Sequence, residues 1–322
     1  MTRHVVFDTD IGIDDAMALL FLHYAPGVAI EAITTVSGNA SIADTTRNAL
    51  HVRDRFHIDA PVYRGASGPV GPSLNRSHPE AVHGRNGLGD IAFEGPTTAA
   101  ELTPAAKAIV RLAERFPGAL SVVAVGRLSN LARALELAPR LPSLLREIVI
   151  MGGVFGFRGH RGNVSPVAEA NLAGDPVAAD RVLGCGVPIT LVGLDVTHET
   201  TMEEAFIEEL VAQAGAAGRF IHAITRCYFD FYAGLNGGRR ECPIHDSSAV
   251  ARLLAPALFD TVRGPVRVVS DGIAMGQAIL GEHPARYSSD AWRDRPACEV
   301  CRTVDAPALR QLYLDTLRRA AT

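Results

Sequence analysis

Short apolar runs rich in β-branched residues alternate with amphipathic segments along the chain, which predicts strands and helices in turn around a mostly parallel sheet. The strands are expected at about residues 4–7, 28–36, 120–125, 147–151 and 187–194. The helices are expected at about residues 14–24, 42–56, 103–116, 128–137, 176–183, 220–235 and 307–319, with a more helical pattern beyond residue 202. This alternation is typical of an α/β fold with an open, Rossmann-like central sheet flanked by helices.

The predicted strands end in polar or glycine-rich tips, and the carboxyl ends of parallel strands meet at one edge of a sheet. Residues 63–94, rich in Gly, Pro, Asn and His, are predicted to form a long loop over that edge. No Ser/Gly linker, internal repeat or low-complexity tract divides the chain, so residues 1–322 are predicted to form a single domain. We therefore expect an active site at the carboxyl ends of the strands.

The 322 residues include 31 Lys and Arg against 35 Asp and Glu, a formal net charge of −4. This balance supplies no broad basic surface, so no nucleic-acid partner is expected. Five scattered cysteines do not match a secreted disulfide framework, and Cys298 and Cys301, although spaced as CxxC, are predicted to be buried, unconnected thiols. No apolar run has the length or place of a signal peptide or a membrane span, which predicts a soluble, cytoplasmic protein with no membrane partner.

Four carboxylates, on Asp8, Asp10, Asp14 and Asp15, fall within eight residues where the first strand meets the first helix. Such a group of like charges requires a positive partner, and oxygen ligands favour calcium or magnesium, with further oxygens from other loops. The alternative for Asp14 and Asp15 is that they only cap the helix, because acidic residues are common in a first turn.

The segment around these residues reads DTDIGIDDAMALL, and further motifs follow in order as SGN, HGRNGLGD, VGRLSNLA, MGGVF, NVSPVAEANLAGDPVAA and PIHD. In order and spacing this set resembles the inosine-uridine nucleoside hydrolase family, over most of the chain up to about residue 246. Ile11 and Arg127 stand where that family more often has proline. The resemblance implies an enzyme of nucleoside salvage that splits ribonucleosides into ribose and a free base, and that assembles as a homo-oligomer, a dimer or a tetramer.

The same resemblance implies one Ca2+ ion, held by the carboxylates of Asp10, Asp15 and Asp246 and by the backbone carbonyl of Val125. Asp10 is then the base that takes a proton from a metal-bound water as it attacks the anomeric carbon. His245 is the implied acid for the leaving base, and the alternative is that it only orients Asp246.

The residues implied to bind substrate are Asp14, Asn39, His83, Met151, Asn163, Glu169, Asn171, Tyr228 and Tyr232. The carboxylates and amides would hold the ribose hydroxyls, and His83 would contact the base or the 5′ side. Met151 and Phe155 would form an apolar wall. Tyr228 and Tyr232 have the i, i+4 spacing of one helix face and would stack on the base, with membership of the core as the alternative.

Two other functions stay open from the sequence. FDTDIG also matches the nucleophile loop of a haloacid-dehalogenase-like phosphatase, with Asp8 attacking phosphorus and Asp10 as the acid. Lys107, the only lysine, lies in the middle of a predicted helix, which is a poor place from which to neutralise a phosphate. The second alternative is a calcium-dependent nucleoside or ribose binding protein without turnover, although Asp10 and His245 are both present.

Overall fold

Strands and helices alternate through most of the protein, in a computed structural model that describes residues 2–74 and 77–321. The strands are β1 (Arg3–Thr9), β2 (Val28–Thr35), β3 (Val62–Arg64), β4 (Leu120–Ala124), β5 (Leu145–Met151), β6 (Ile189–Val192), β7 (Thr201–Glu203), β8 (Glu241–Pro243), β9 (Phe259–Val268), β10 (Ala278–Leu280) and β11 (Ala297–Val304). The helices are α1 (Ile13–Tyr24), α2 (Ile42–Arg55), α3 (Glu80–His83), α4 (Ala105–Arg115), α5 (Ser129–Leu137), α6 (Leu141–Leu144), α7 (Ala170–Gly174), α8 (Pro176–Leu183), α9 (Leu194–Thr197), α10 (Glu204–Gln213), α11 (Gly215–Leu235), α12 (His245–Leu254) and α13 (Ala306–Leu317). Short 3₁₀ segments lie at Phe157–Gly159, Pro256–Leu258, Pro284–Arg286, Asp290–Trp292 and Arg318–Ala321. Within the described ranges, none of the helices combines the length and apolar character needed to cross a bilayer.

The central sheet has nine strands in the order β10-β9-β11-β6-β5-β4-β1-β2-β3, and β7 pairs with β8 in a separate ribbon. Neighbouring strands from β3 to β11 along this order are parallel, whereas β9 runs antiparallel to both β11 and β10. The prediction of a mostly parallel α/β sheet flanked by helices is confirmed. The direction of winding reverses between β1 and β4, and open sheets of this kind form a ligand crevice at such a point.

Apolar side chains pack on both faces of the sheet, as buried parallel strands require. In β1, Val5 and Phe7 join one core and Val6 joins the other, because successive side chains of a strand alternate between faces. Burial of each such side chain contributes about 1.5–3 kcal/mol. The central strand is therefore held from both sides, and its carboxyl end is a rigid position from which to present polar groups.

The structure departs from the sequence-based boundaries in two regions. α11 begins at Gly215 rather than Phe220, and a Cβ on Gly218 would lie only 2.0 Å from the Leu210 carbonyl oxygen. Glycine is a poor helix former, but here it allows α11 to pack closely on α10, and that tertiary contact overrides propensity. Beyond residue 202 the chain is less helical than predicted, because β9 and β11 form an antiparallel pair that extends the sheet.

Cys298 and Cys301 lie on β11 and are both buried and free. Their side chains belong to different cores, Cys298 to that of Val6 and Cys301 to that of Val5 and Phe7. A separation of three residues on a strand places side chains on opposite faces, so the CxxC spacing separates these thiols instead of pairing them. The prediction of buried, unconnected thiols is confirmed.

Candidate active site

A cavity of about 650 Å³ opens at the carboxyl ends of β4 and β5, beside the start of α12 and the second half of α11. The predicted residues that line it are Asp14, Asn39, His83, Val125, Met151, Asn163, Glu169, Asn171, Tyr228, Tyr232, His245 and Asp246. Asp10 and Asp15 are buried next to this set, with 2% and 0% of their surface exposed. The fold thus brings together the residues that the sequence singled out from distant segments.

The bottom of the cavity is an acidic floor formed by Asp10, Asp14, Asp15 and Asp246. Carboxylate oxygens of Asp14, Asp15 and Asp246 lie within 4.8 Å of one another. Burial, and then repulsion from Asp15, raises the pKa of Asp14 to about 8 and that of Asp10 well above its ordinary value. Burial and repulsion from the other three raise the pKa of Asp246 in the same way. A cation among these oxygens would relieve the repulsion and keep the carboxylates ionised.

Asp10 lies just beyond the end of β1 and is enclosed by glycine backbone. Its Oδ2 accepts a hydrogen bond of 2.8 Å from the Asn39 amide, while its Oδ1 is buried without a hydrogen-bond partner. A Cβ on Gly38 would overlap Oδ2, and one on Gly126 would lie 2.7 Å from Oδ1. The two glycines are therefore required for this close approach, and one carboxylate oxygen is left without a donor.

Asp15 forms the helix cap that the sequence offered as one alternative, and it also lies in the acidic floor. Its Oδ2 accepts hydrogen bonds from the Gly12 amide at 2.8 Å and from Asn39 Nδ2 at 2.9 Å, and its Oδ1 accepts one from the Thr9 hydroxyl. The Gly12 contact caps the start of α1, where an acidic side chain is also favoured by the helix dipole. Capping thus orients Asp15 within the acidic floor.

Asp8 does not belong to the acidic floor, although the sequence grouped it with the other three carboxylates. Its Oδ1 accepts hydrogen bonds from the Thr34 hydroxyl at 2.6 Å and from Asn130 Nδ2 at 2.8 Å. Burial raises its pKa to about 6, and those two hydrogen bonds oppose the rise. Asp8 therefore ties β1 to β2 and to α5, and its position is structural.

One side of the cavity is formed by α7 and the loop before it. The Glu169 carboxylate accepts hydrogen bonds from the Gly153, Asn171 and Leu172 amides at 2.9, 2.7 and 3.2 Å, which fixes the start of α7. Asn171 Nδ2 donates to the carbonyls of Val125 and Met151 at 2.9 and 3.2 Å. These bonds hold the Val125 carbonyl beside the acidic floor.

Asn163 and Phe155 were also expected in this part of the site, and their positions relative to the cavity differ. Asn163 lines the cavity, and its Oδ1 accepts a hydrogen bond of 3.0 Å from the Ala170 amide. Phe155, which was paired with Met151 in the prediction, instead stacks on Phe157 with ring centroids 6.2 Å apart.

The opposite side is an aromatic wall of His83, Tyr228, Tyr232 and His245. His245 Nδ1 lies 2.8 Å from the Thr197 hydroxyl, and its Nε2 lies 3.1 Å from the Tyr232 hydroxyl. Tyr228 is 1% exposed, and its hydroxyl pairs with the Asp14 carboxyl, which links the wall to the floor. Burial lowers the pKa of His245 well below its ordinary value, which favours the neutral form of its imidazole.

His83 is fixed by the start of α1. The Ile13 amide donates to His83 Nδ1 at 3.2 Å, which places the proton of the neutral ring on Nε2. Burial lowers the pKa of His83 to about 4.

Sequence reasoning missed Thr197 and His198, which extend the wall. His198 lines the cavity, and its ring centroid lies 5.6 Å from that of His245. Both residues follow β6, and the position of polar side chains directly after a predicted parallel strand was the signal that could have identified them.

The geometry can be compared with known proteins. The family model described as inosine-uridine preferring nucleoside hydrolase matches residues 5–311. The chain belongs to this family. It is 34% identical to the probable uridine nucleosidase 2 of Arabidopsis thaliana over 98% of this chain and 97% of that protein. It is also 34% identical to a pyrimidine-specific ribonucleoside hydrolase of Escherichia coli, over 87% of this chain and 88% of that protein.

Solved structures of nucleoside hydrolases have the same fold. A plant nucleoside hydrolase superimposes with a TM-score of 0.92 at 31% identity, covering 99% of both chains. A purine-preferring ribonucleoside hydrolase from Gardnerella vaginalis gives 0.90 at 28% identity, covering 99% of this chain and 100% of that one. The protein is accordingly an N-glycosyl hydrolase of ribonucleosides, and neither the phosphatase nor the binding-protein alternative is favoured.

Proposed function

We propose that this nucleoside hydrolase uses Ca2+ held in the acidic floor, with Asp10 as the base and His245 as the acid, and that uridine is among its substrates. The observation that carries the proposal is the unpartnered Oδ1 of Asp10 beside the converging oxygens of Asp14, Asp15 and Asp246, under a cavity sized for a nucleoside. Uridine is proposed because several relatives are named for uridine or pyrimidine nucleosides.

The donor set fits a hard cation, because it consists of oxygens alone. Asp10, Asp15, Asp246 and the Val125 carbonyl would hold the ion, and Asp14 would remain a sugar ligand because its carboxyl already pairs with the Tyr228 hydroxyl. When bound, Ca2+ supplies positive charge that keeps the floor ionised, and it polarises water and the ribose diol.

Asp10 is suited to act as the base because only one of its oxygens is engaged. The Asn39 amide holds Oδ2, and the free Oδ1 can accept the proton of a water that attacks the anomeric carbon. Cleavage develops positive charge on the ribose ring, and the negative acidic floor stabilises that charge.

The ribose hydroxyls would be held by Asp14, Asn39, Asn163, Glu169 and Asn171, which all line the cavity. A missing 2′-hydroxyl would leave buried polar groups without partners, so deoxyribonucleosides should be poor substrates. On the aromatic wall, His245 would donate an N–H hydrogen bond to the departing base. Complete transfer of the proton requires the imidazolium form, which becomes neutral imidazole as the proton leaves, and the hydroxyls of Thr197 and Tyr232 lie beside its two ring nitrogens.

The proposal further includes a role in nucleoside salvage, a cytoplasmic location, a single domain and assembly as a homo-oligomer. The five free cysteines support a reducing compartment. Light scattering of the purified protein measures the number of subunits.

The test is ribose release from uridine, inosine and 2′-deoxyuridine, with Ca2+ and with a chelator. We expect turnover of uridine, little of the deoxynucleoside, and loss of activity with the chelator that Ca2+ restores. Asp10→Asn should lower kcat by about 10³-fold, a typical size for loss of a general base. Asp8→Asn is the matched control, because Asp8 lies two residues earlier on β1 but outside the floor.

The control also separates the mechanisms, since Asp8 would be the nucleophile of a phosphatase. Near-normal turnover by Asp10→Asn, or equal losses in both variants, would contradict the proposed role of Asp10. Chelator-resistant activity would contradict the cation.

A further inference from the structure

A second cavity, of about 530 Å³, adjoins the active site. Ser77 and His78 line both cavities, and Arg127, Ser37, Ser67 and Met275 are among the residues that line only the second. Its described lining includes no Asp or Glu, whereas Asp14, Glu169 and Asp246 line the catalytic cavity. The two neighbouring cavities therefore have opposite electrostatic character.

Arg127 supplies the charge of the second cavity and is held rigidly. It is 6% exposed, and a Cβ on Gly174 would lie 2.5 Å from its Nε, so the arginine packs directly on the backbone of α7. A buried guanidinium is costly unless its N–H groups find acceptors. Among the described residues Arg127 forms no hydrogen bond or ion pair. The negative charges that act on it are the carboxylates of Asp10 and Asp175, which lie beyond ion-pair distance.

Neither of those two carboxylates forms an ion pair with Arg127. Asp175 accepts hydrogen bonds from the Val70 amide at 2.8 Å, the Ala178 amide at 3.1 Å and the Ser129 hydroxyl. Asp10 belongs to the acidic floor. Arg127 lines a cavity whose other polar residues include the exposed Ser67 and Ser77.

We propose that this second cavity is a binding site for a phosphate-class oxyanion, with Arg127 as its principal ligand. A guanidinium fork with nearby hydroxyl donors matches the oxygens of a tetrahedral anion. The anion would complete the hydrogen bonding of Arg127, which the described protein groups leave incomplete. Free phosphate and the phosphate group of a nucleotide share this chemistry. The site adjoins the catalytic cavity, and its occupancy by phosphate can be measured without turnover.

The experiment is isothermal titration of inorganic phosphate into the purified full-length protein, in buffer without added metal. We expect one saturable site, weakened at least about tenfold in Arg127→Gln, the loss typical of a charge-assisted bidentate contact. Arg133→Gln, which removes the same charge from the exposed side of α5, should stay within about twofold of the wild type. Ser67→Glu places a negative charge at the rim without altering the buried arginine, and should also weaken binding about tenfold.

Two further titrations identify where the phosphate binds. Asp246→Asn alters the acidic floor but not the second cavity, so it should leave phosphate affinity unchanged. Titration with uridine 5′-monophosphate, beside uridine, shows whether a nucleotide phosphate reaches the same site. If it does, the nucleotide should bind more tightly than uridine to the wild type, and Arg127→Gln should abolish that difference. Absence of saturable phosphate binding, wild-type phosphate affinity in Arg127→Gln or in Ser67→Glu, or loss of binding in Asp246→Asn would overturn the proposal. None of these outcomes depends on ribose release.

Discussion

The acidic floor and the aromatic wall face the same cavity, and burial acts on them in opposite ways. In the floor, burial and repulsion raise the pKa of Asp14 to about 8, which disfavours its ionised form. In the wall, burial lowers the pKa of His83 and His198 to about 4 each, so these rings stay neutral. Desolvation disfavours the charged form in both cases.

In the proposed mechanism the two regions have different roles. The floor would hold the cation and stabilise the positive charge that develops on the sugar. The wall would surround the leaving base with uncharged rings. The bond between Tyr228 and Asp14 is where the two regions meet.

The largest change is expected from the floor. Asp246→Asn removes one of the converging carboxylates, and it should weaken Ca2+ binding by about 1000-fold, because calcium affinity depends strongly on the number of charged ligands. Calorimetric titration of the metal-stripped protein with Ca2+ measures this effect. Glu199→Gln is a suitable control, because Glu199 pairs with His160 and Arg158 outside the floor. Unchanged Ca2+ affinity in Asp246→Asn would show that the acidic floor does not bind the cation.

An intermediate change is expected from the wall. His245→Ala should lower kcat for uridine by about 100-fold if the imidazole protonates the leaving base. An activated aryl riboside needs no proton, so it should lose far less. Tyr232→Phe, which removes the hydroxyl beside His245 Nε2, should lose about tenfold on uridine. Equal losses on both substrates in His245→Ala would show that the residue positions Asp246 and does not donate a proton.

The smallest change concerns stability and tests the neutrality of the wall. The pKa of His83 is about 4 in the folded protein and about 6.5 when unfolded. Between those pH values the unfolded chain binds a proton that the folded chain does not, so the free energy of unfolding falls as the pH decreases from about 6.5 to 4. The loss amounts to about 2 kcal/mol at pH 5.

His83→Gln should remove this part of the pH dependence, as measured by urea unfolding at several pH values. His222→Gln, at an exposed position on α11, should keep the dependence of the wild type. A variant His83→Gln with the same slope as the wild type would show that His83 is protonated in the folded state.

The sequence by itself determined the main strands and helices before residue 202, the class of sheet and the family. α8 occupies the predicted residues, and β1, α1 and α2 differ from prediction by only a few terminal residues. Local periodicity encodes such elements, because the side chains of a strand or helix face the core at regular intervals. The motifs around Asp10 and Asp246 were recognisable for the same reason, since each is contiguous in the chain.

Only the tertiary structure decided which of these groups meet. It separated Asp8 from the acidic floor, brought Asp246 from the start of α12 to Asp15, and placed His198 beside His245. It also put Arg127 in a cavity of its own, a role that the sequence left open. The physical reason is that contacts between distant segments depend on the order and direction of the strands, and spacing along the chain does not carry that information.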